Sequence, residues 1–275
     1  MADTELSLSN GYAGPTIQRP MWRLVDRTVD MELSTVAEEV PIAFVYNGRP
    51  YTVVMATPLD LEDLATGFSV TEGIVPHAGA LERIDIVKAL HGIEVQIELS
   101  ATDASRLADR SRAIAIRTGC GLCGIERIHD VLRMPEKLPH SLDVSRDALF
   151  RAIHELDKQQ TLNNETHTVH AAAWSNQFGE LQVVREDVGR HNALDKVLGA
   201  LARANTPIRD GFIVVTSRAS YEMVQKAALF GVELLAAVSR PTGLAVRFAE
   251  ESGVTLVGLL RGQTANVYAN PQRIT

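Results

Sequence analysis

The sequence predicts a mixed chain: a smaller α+β domain first, then a three-layer α/β domain. Three observations carry this. From residue 190 onward, continuous apolar strands alternate with amphipathic helices, the pattern of a mostly parallel sheet covered on both faces. Before residue 100, strands come in pairs around short turns, with one helix between the pairs. Between the halves stands Thr118-Gly119-Cys120-Gly121-Leu122-Cys123-Gly124, which holds the only two cysteines of the 275 residues.

Residues 1–20 are polar, with no basic start and no apolar block, and read as a flexible leader rather than a secretory signal. Residues 21–143 are assigned to the first domain and its linker. Val40–Tyr46 and Tyr51–Met55 form a hairpin around Asn47-Gly48, the strongest short turn signal. Thr57-Pro58 opens a helix with Leu61, Leu64, Ala65 and Phe68 at helical spacing, and Gly73 ends it. Ile84–Ala89 and Ile93–Leu99 pair around His91-Gly92, and 101–112 reads as a solvated helix. Residues 144–275 are assigned to the second domain. Ser145 caps a helix striped by Leu149, Ile153 and Leu156. Strands at 168–174 and 181–185 precede a helix at 190–203. Then follow strand 212–216, helix 220–230, strand 232–238, helix 242–251, strand 254–260 and a final segment at 265–268.

The formal net charge of −7 argues against nucleic acid as a partner. No apolar run reaches the roughly 20 residues that span a bilayer. The expected compartment is the cytoplasm, where a CxxC pair is catalytic or metal-binding more often than a structural staple.

The glycines around Cys120 and Cys123 suit an exposed, mobile loop that presents sulfur. Two such thiols can share a metal, cycle to a disulfide, or act as a nucleophile with a helper. Zinc needs about four ligands, and His129 and His140 stand at no standard finger spacing. The plain alternative is a pair of inert structural thiols; the neighbouring Arg117, Glu126 and Arg127 favour reactive sulfur.

Each late strand ends in a hydroxyl-and-arginine segment: Ser217-Arg218-Ala219-Ser220, Ser239-Arg240-Pro241-Thr242, and Arg261-Gly262-Gln263-Thr264. In a parallel sheet these share one edge, where open α/β sheets bind ligands. Helix N-termini and arginine forks there suit phosphate, and three in register suit a dinucleotide-like ligand. The alternative is three capped helices with surface arginines. Glu186-Asp187-Val188-Gly189-Arg190-His191 follows a strand and opens a helix, so Asp187 and His191 are candidate ligand contacts, or Asp187 is only a cap. His170, in an apolar strand, is a secondary candidate.

These segments together are recognisable. Arg117–Gly124, His170-Ala-Ala-Ala-Trp174, Glu186–His191 and the decapeptide Ser217-Arg-Ala-Ser-Tyr-Glu-Met-Val-Gln-Lys226 resemble the FdhD/NarQ family of formate dehydrogenase accessory sulfurtransferases. The likeness runs from about Glu38 to Ile274. It implies a cytosolic sulfur carrier that accepts a persulfide from a cysteine desulfurase. The sulfur then passes to Mo-bis(molybdopterin guanine dinucleotide), Mo-bisPGD, before that cofactor enters the formate dehydrogenase apoenzyme. It also implies a second domain resembling cytidine deaminases, and a homodimer. By the same resemblance Cys120 carries the persulfide and Cys123 assists. Leu259, Leu260, Arg261, Gly262, Gln263 and Thr264 form the cofactor-binding segment, with Ser217, Arg218, Tyr221 and Arg240 beside it. Leu259 stands where an aromatic is frequent in the family, and Gln263-Thr264 is less basic than usual. Half of the cofactor is a guanosine diphosphate unit, so GDP and GTP are expected partial mimics. Deaminase zinc chemistry needs His-x-Glu and Pro-Cys-x-x-Cys. Here Ala171-Ala172 follows His170 and no cysteine lies downstream, so no intrinsic metal is expected. The competing readings are a non-catalytic cofactor chaperone with redox-sensing thiols and a zinc-dependent regulator.

Overall fold

The computed structural model describes residues 14–114 and 134–275. The chain opens on a two-stranded antiparallel ribbon, β1 (Thr16–Val25) and β2 (Thr28–Ala37), turned through Asp26 at φ 50°. The leader expected over residues 1–20 therefore stops short. From Thr16 the chain is paired, because Thr16–Pro20 meet Leu33–Ala37 rung for rung.

Next comes a four-stranded sheet in the order β4-β3-β6-β5, built from β3 (Val40–Tyr46), β4 (Arg49–Ala56), β5 (Leu81–Ala89) and β6 (Gly92–Leu99). Asn47 and Gly48 turn the first hairpin with φ 47° and 74°, as a two-residue loop of this hand requires. Asn47 also holds β6, accepting from Leu99 N–H at 2.9 Å and donating to its carbonyl at 3.0 Å. Helix α1 (Leu61–Thr71) lays Leu64 and Ala65 on Ile42, Phe44, Val95 and Ile97, and Phe44 stacks on Phe68 at 4.6 Å. Helix α2 (Ala101–Ile114) follows.

The second sheet has six strands in the order β12-β11-β10-β9-β7-β8. They are β7 (His170–Asn176), β8 (Leu181–Asp187), β9 (Gly211–Val215), β10 (Leu234–Ala237), β11 (Thr255–Arg261) and β12 (Thr264–Ala269). The pairings make β8, β9, β10 and β11 run one way, with β7 and β12 against them. Helices α5 (Arg190–Arg203), α6 (Tyr221–Leu229) and α7 (Gly243–Ser252) share a core with one face of the sheet. Helix α3 (Arg146–Gln159) buries Leu149, Ile153 and Leu156 on the other face, its first turn capped by Ser145 Oγ, which accepts from Ala148 N–H at 3.1 Å. Short helix α4 (Thr161–Thr166) follows it. The arrangement is the expected mixed α/β fold, helices on both faces of the larger sheet.

Helix α1 and helix α5 cross almost backbone to backbone. A Cβ on Gly67 would stand 1.8 Å from the Asp195 carbonyl oxygen, and one on Gly199 would stand 1.8 Å from that of Asp63. Only glycine permits that approach. Asp63 then takes Arg185 at 2.7 Å and Arg203 at 2.6 Å, from β8 and from α5. These contacts lock the four-stranded sheet and its helix against the edge of the larger one.

Candidate functional site

Because β8 to β11 run in one direction, their C-terminal ends lie at one edge of the sheet. The loops there are bonded to one another. Val238 N–H donates to Val215 O at 3.0 Å, Thr242 N–H to Ala219 O at 3.1 Å, and Leu259 N–H to Ser239 O at 3.2 Å. Arg261 Nε donates to Val238 O at 3.0 Å. The antiparallel strand β7 begins at the same edge, pairing His170 with Asp187. The three segments expected to converge do so, and the Glu186–His191 turn joins them.

Two helices start here without a side-chain cap: α5 after Gly189 and α6 after Ser220. Their first backbone N–H groups lack intrahelical partners and their positive dipole ends lie at this edge, with the Glu222 carboxylate on the first turn of α6. Helix α7 is closed instead by Thr242, whose hydroxyl accepts from Ala245 N–H at 3.3 Å.

The side chains fall into three groups. Arg218, Arg240 and Arg261 are exposed, as are Gly262, Gln263 and Thr264. Arg190 and His191 are half-buried, and Arg190 Nε and His191 Nε2 have no hydrogen-bond partner among the described residues. Burial, then repulsion from Arg218, holds the Arg190 guanidinium below its ordinary pKa. Burial, then Arg190 and Lys226, pushes His191 down to about 4, with Glu222 3.8 Å away as a weak counterweight. His170 is lowered by burial and by Arg190. The positive charge at neutral pH is therefore that of the arginines, with His191 as an uncharged imidazole.

The third group is consumed by the fold. Asp187 is fully buried. It pairs with Lys196 at 2.7 Å and accepts from the N–H groups of Thr57 (3.1 Å) and Gly189 (2.8 Å) and from Asn192 Nδ2 (3.0 Å). Its neighbour Glu186 accepts from the N–H groups of Leu162 and Asn163, both at 2.8 Å, at the start of α4. Tyr221 turns its ring inward, edge-on to Phe248 at 5.1 Å. Leu260 is buried in the sheet core, and Ser217 is buried with its hydroxyl on the Arg218 carbonyl at 3.1 Å.

The Leu259–Thr264 segment is the turn between β11 and β12, where the ladder slips register. Leu259 holds φ 53°, a left-handed conformation that a branched side chain adopts at a cost, and Gly262 repeats it at φ 53°. A Cβ on Gly258 would lie 2.9 Å from Pro241, so this turn is pressed against the preceding loop. Cys120, Cys123 and the rest of the Arg117–Gly124 loop lie outside the described residues. Among the described residues no cluster of three His, Cys, Asp or Glu has metal-binding spacing. No described helix is long and apolar enough to cross a membrane.

Arg190 was within the quoted motif but not singled out from sequence. Strand β7 pairs antiparallel with both β8 and β9, so those two strands end at one edge, which brings Arg190 beside Arg218. Behind the site, Lys226 of the decapeptide is buried against Asp195 and Glu72, each 2.9 Å from Nζ. Burial opposes its charge, but the two carboxylates outweigh it and hold the ammonium above its ordinary pKa.

A model of the FdhD/NarQ family matches residues 37–275. A protein of Xanthomonas euvesicatoria named sulfur carrier protein FdhD is 52% identical over 239 residues, covering 87% of this chain and 85% of that one. A protein of the same name from Cupriavidus necator is 51% identical, covering 87% and 83%. A crystal structure of a formate dehydrogenase accessory protein from Desulfotalea psychrophila superposes with a TM-score of 0.76 at 26% identity, over 94% of this chain and 99% of that one. On the extent of that match and the identity to these relatives, the chain belongs to the FdhD/NarQ family.

Proposed function

We propose that the chain is a sulfur carrier serving a formate dehydrogenase. It takes sulfur from a cysteine desulfurase as a persulfide on Cys120 and delivers it to Mo-bisPGD, its bound substrate, in the cytoplasm. The observation that carries the reading is the pair Arg190 and Arg218, close enough to repel, beside two uncapped helix N-termini at one sheet edge. Two guanidiniums so placed, only partly offset by the Glu222 carboxylate, favour a bound anion, and a diphosphate carries enough charge to satisfy both. Relatives named for sulfur carriage at about half identity support the sulfur half of the reading.

The chemistry balances on the two thiols. The Cys120 thiolate attacks the outer sulfur of the donor's persulfide; that S–S bond breaks and the donor cysteine leaves as thiolate. The carried sulfur is zero-valent, and a metal takes it as sulfide, two electrons more reduced. Attack of the Cys123 thiolate on the inner sulfur of the Cys120 persulfide supplies those electrons. A Cys120–Cys123 disulfide forms and hydrosulfide leaves. A cellular dithiol then restores both thiols.

Intact mass after incubation with a desulfurase and cysteine tests this. One added sulfur, removed by reductant, is expected on the native chain and on Cys123→Ala, and none on Cys120→Ala. If Cys120→Ala still loads sulfur and activates the dehydrogenase while Cys123→Ala does neither, the thiol roles are reversed. If no variant loads sulfur and Cys120→Ala supports full dehydrogenase activity, the protein is a cofactor chaperone and the carrier reading fails.

A further inference from the structure

Helices α5 and α6 face each other in two rungs. His191 and Asp195 stand one turn apart on α5, and Glu222 and Lys226 one turn apart on α6. The inner rung is closed. Lys226 Nζ lies 2.9 Å from Asp195 Oδ2 and 2.9 Å from Glu72 Oε1, and it donates to Thr71 Oγ1 at 2.8 Å. Thr71 Oγ1 in turn donates to Asp195 Oδ1 at 2.8 Å. The outer rung, at the strand-end edge, is open. His191 Nε2 stands 3.8 Å from Glu222 Oε2, beyond hydrogen-bond reach. It is a buried atom without a hydrogen-bond partner among the described residues, and so is Arg190 Nε beside it.

Glu222 carries the wrong charge for an edge that takes an anion. Burial opposes its ionisation, but hydrogen bonds at the start of α6, with His191 and Arg190 nearby, hold it below the ordinary carboxylate pKa. It is therefore negative at neutral pH, and it repels an incoming phosphate. A proton on His191 turns the outer rung into an ion pair and removes that repulsion. What keeps the proton off is burial, then Arg190 on the same helix and Lys226 on α6, against Glu222 and Glu72. Arg218 bears on Arg190 in turn. From the sheet, His170 also feels Arg190, and Asp187 is neutralised by Lys196. An anion seated on Arg190 and Arg218 cancels the first of the opposing cations.

We propose that this edge binds a diphosphate and a proton together, the proton passing from solvent to His191, which then pairs with Glu222. The proposal rests on the reading of the edge as an anion site, and it makes His191 a residue that selects the anion. Linkage is reciprocal: an anion that raises the proton affinity of His191 is itself held more tightly when the proton is present. The selection is by charge. A doubly charged group neutralises Arg190 and Arg218 at once, whereas a single charge leaves one guanidinium to oppose the imidazolium.

Calorimetry of the full chain with GDP-mannose tests this. Its diphosphate is esterified at both ends, so the ligand itself neither gains nor loses a proton near neutral pH. At about pH 5.5, between the depressed and the ordinary histidine values, buffers of different ionisation enthalpy should report uptake of up to about one proton per ligand bound. The dissociation constant should fall roughly tenfold from about pH 7.5 to about pH 5.5. In nitrogen-15 histidine spectra of the native chain, one imidazole should change from neutral to protonated as ligand is added at the lower pH. His191→Asn should bind without the proton, with an affinity indifferent to pH. Glu222→Gln should bind more tightly than the native chain at the higher pH and lose most of the pH dependence, which a purely structural role for either residue does not produce. Binding to the native chain with no buffer dependence overturns the proposal and leaves the anion site standing. Proton uptake that persists in His191→Asn overturns it too, and assigns the proton to His170. Absence of binding at every pH overturns the proposal together with the anion site. Sulfur loading, read by mass on separate samples, is independent of all three.

Discussion

Lys196 Nζ lies 2.7 Å from Asp187 Oδ2, and neither side chain is exposed to solvent. The ammonium also donates to the carbonyls of Thr57, at 3.1 Å, and Glu186, at 3.3 Å. Removing one partner strands a buried charge, so Asp187→Ala should cost about 3–5 kcal/mol of stability. Urea unfolding followed by far-UV circular dichroism reads this as a lower midpoint. A variant of native stability that has lost only nucleotide affinity would show that Asp187 serves the ligand instead.

The crossing of α1 and α5 makes a second prediction. Gly199→Ala places a methyl into the Asp63 backbone, which cannot move without disturbing the Arg185 and Arg203 pairs on the same residue. The expected loss is about 1–3 kcal/mol from overpacking. Helix propensity alone would make the same change stabilising by about 1 kcal/mol. A Gly199→Ala variant as stable as the native chain, or more stable, would therefore mean the close approach is unimportant.

The state of His191 sets a pH dependence. Its folded pKa of about 4 lies below the ordinary 6.5, so the unfolded chain binds the proton more readily. The stability His191 contributes is complete above the unfolded value and is lost as pH falls from about 6.5 toward 4. In the range of roughly pH 6 to 8 its imidazole resonances should not titrate by NMR, unlike an ordinary histidine. Titration near 6.5 would place the side chain in water rather than against Arg190.

The strand-end arginines predict nucleotide binding. Calorimetry with GDP should show affinity that falls by about 1.5–3 kcal/mol in Arg218→Ala, the worth of one charge-assisted hydrogen bond. Arg190→Ala should also weaken binding, and added salt should weaken the native chain more than either variant. Absence of binding to GDP and GTP at millimolar concentration would remove the nucleotide from the account.

The local elements were legible in the sequence because each depends on contacts a few residues apart. Asn47-Gly48 requires two positive φ angles whatever lies around it, and Ser145 caps α3 with its own hydroxyl. The helix expected at 190–203 is found at those residues, and the Ser217, Ser239 and Arg261 segments share the edge that parallel strands imply. The ribbon of Thr16–Ala37 was only partly legible: Val29–Ser34 alternates apolar with polar residues as a strand does, but its apolar face stays exposed among the described residues, so no buried layer marks it.

Tertiary structure alone decided which charged residues are spent on the fold. Asp187 follows a strand and precedes a helix, as a ligand contact or a cap would, and the sequence allows either. Its amide partner Thr57 lies 130 residues away, as Thr71 lies 155 residues from Lys226. Arg190 and Arg218 repel because a strand order brings them together, not because of their order in the chain. Electrostatic energy depends on distance and burial. Composition, spacing and period therefore determine the elements and the residue types at their ends. Only the packed chain determines which of those charges remain free for an anion.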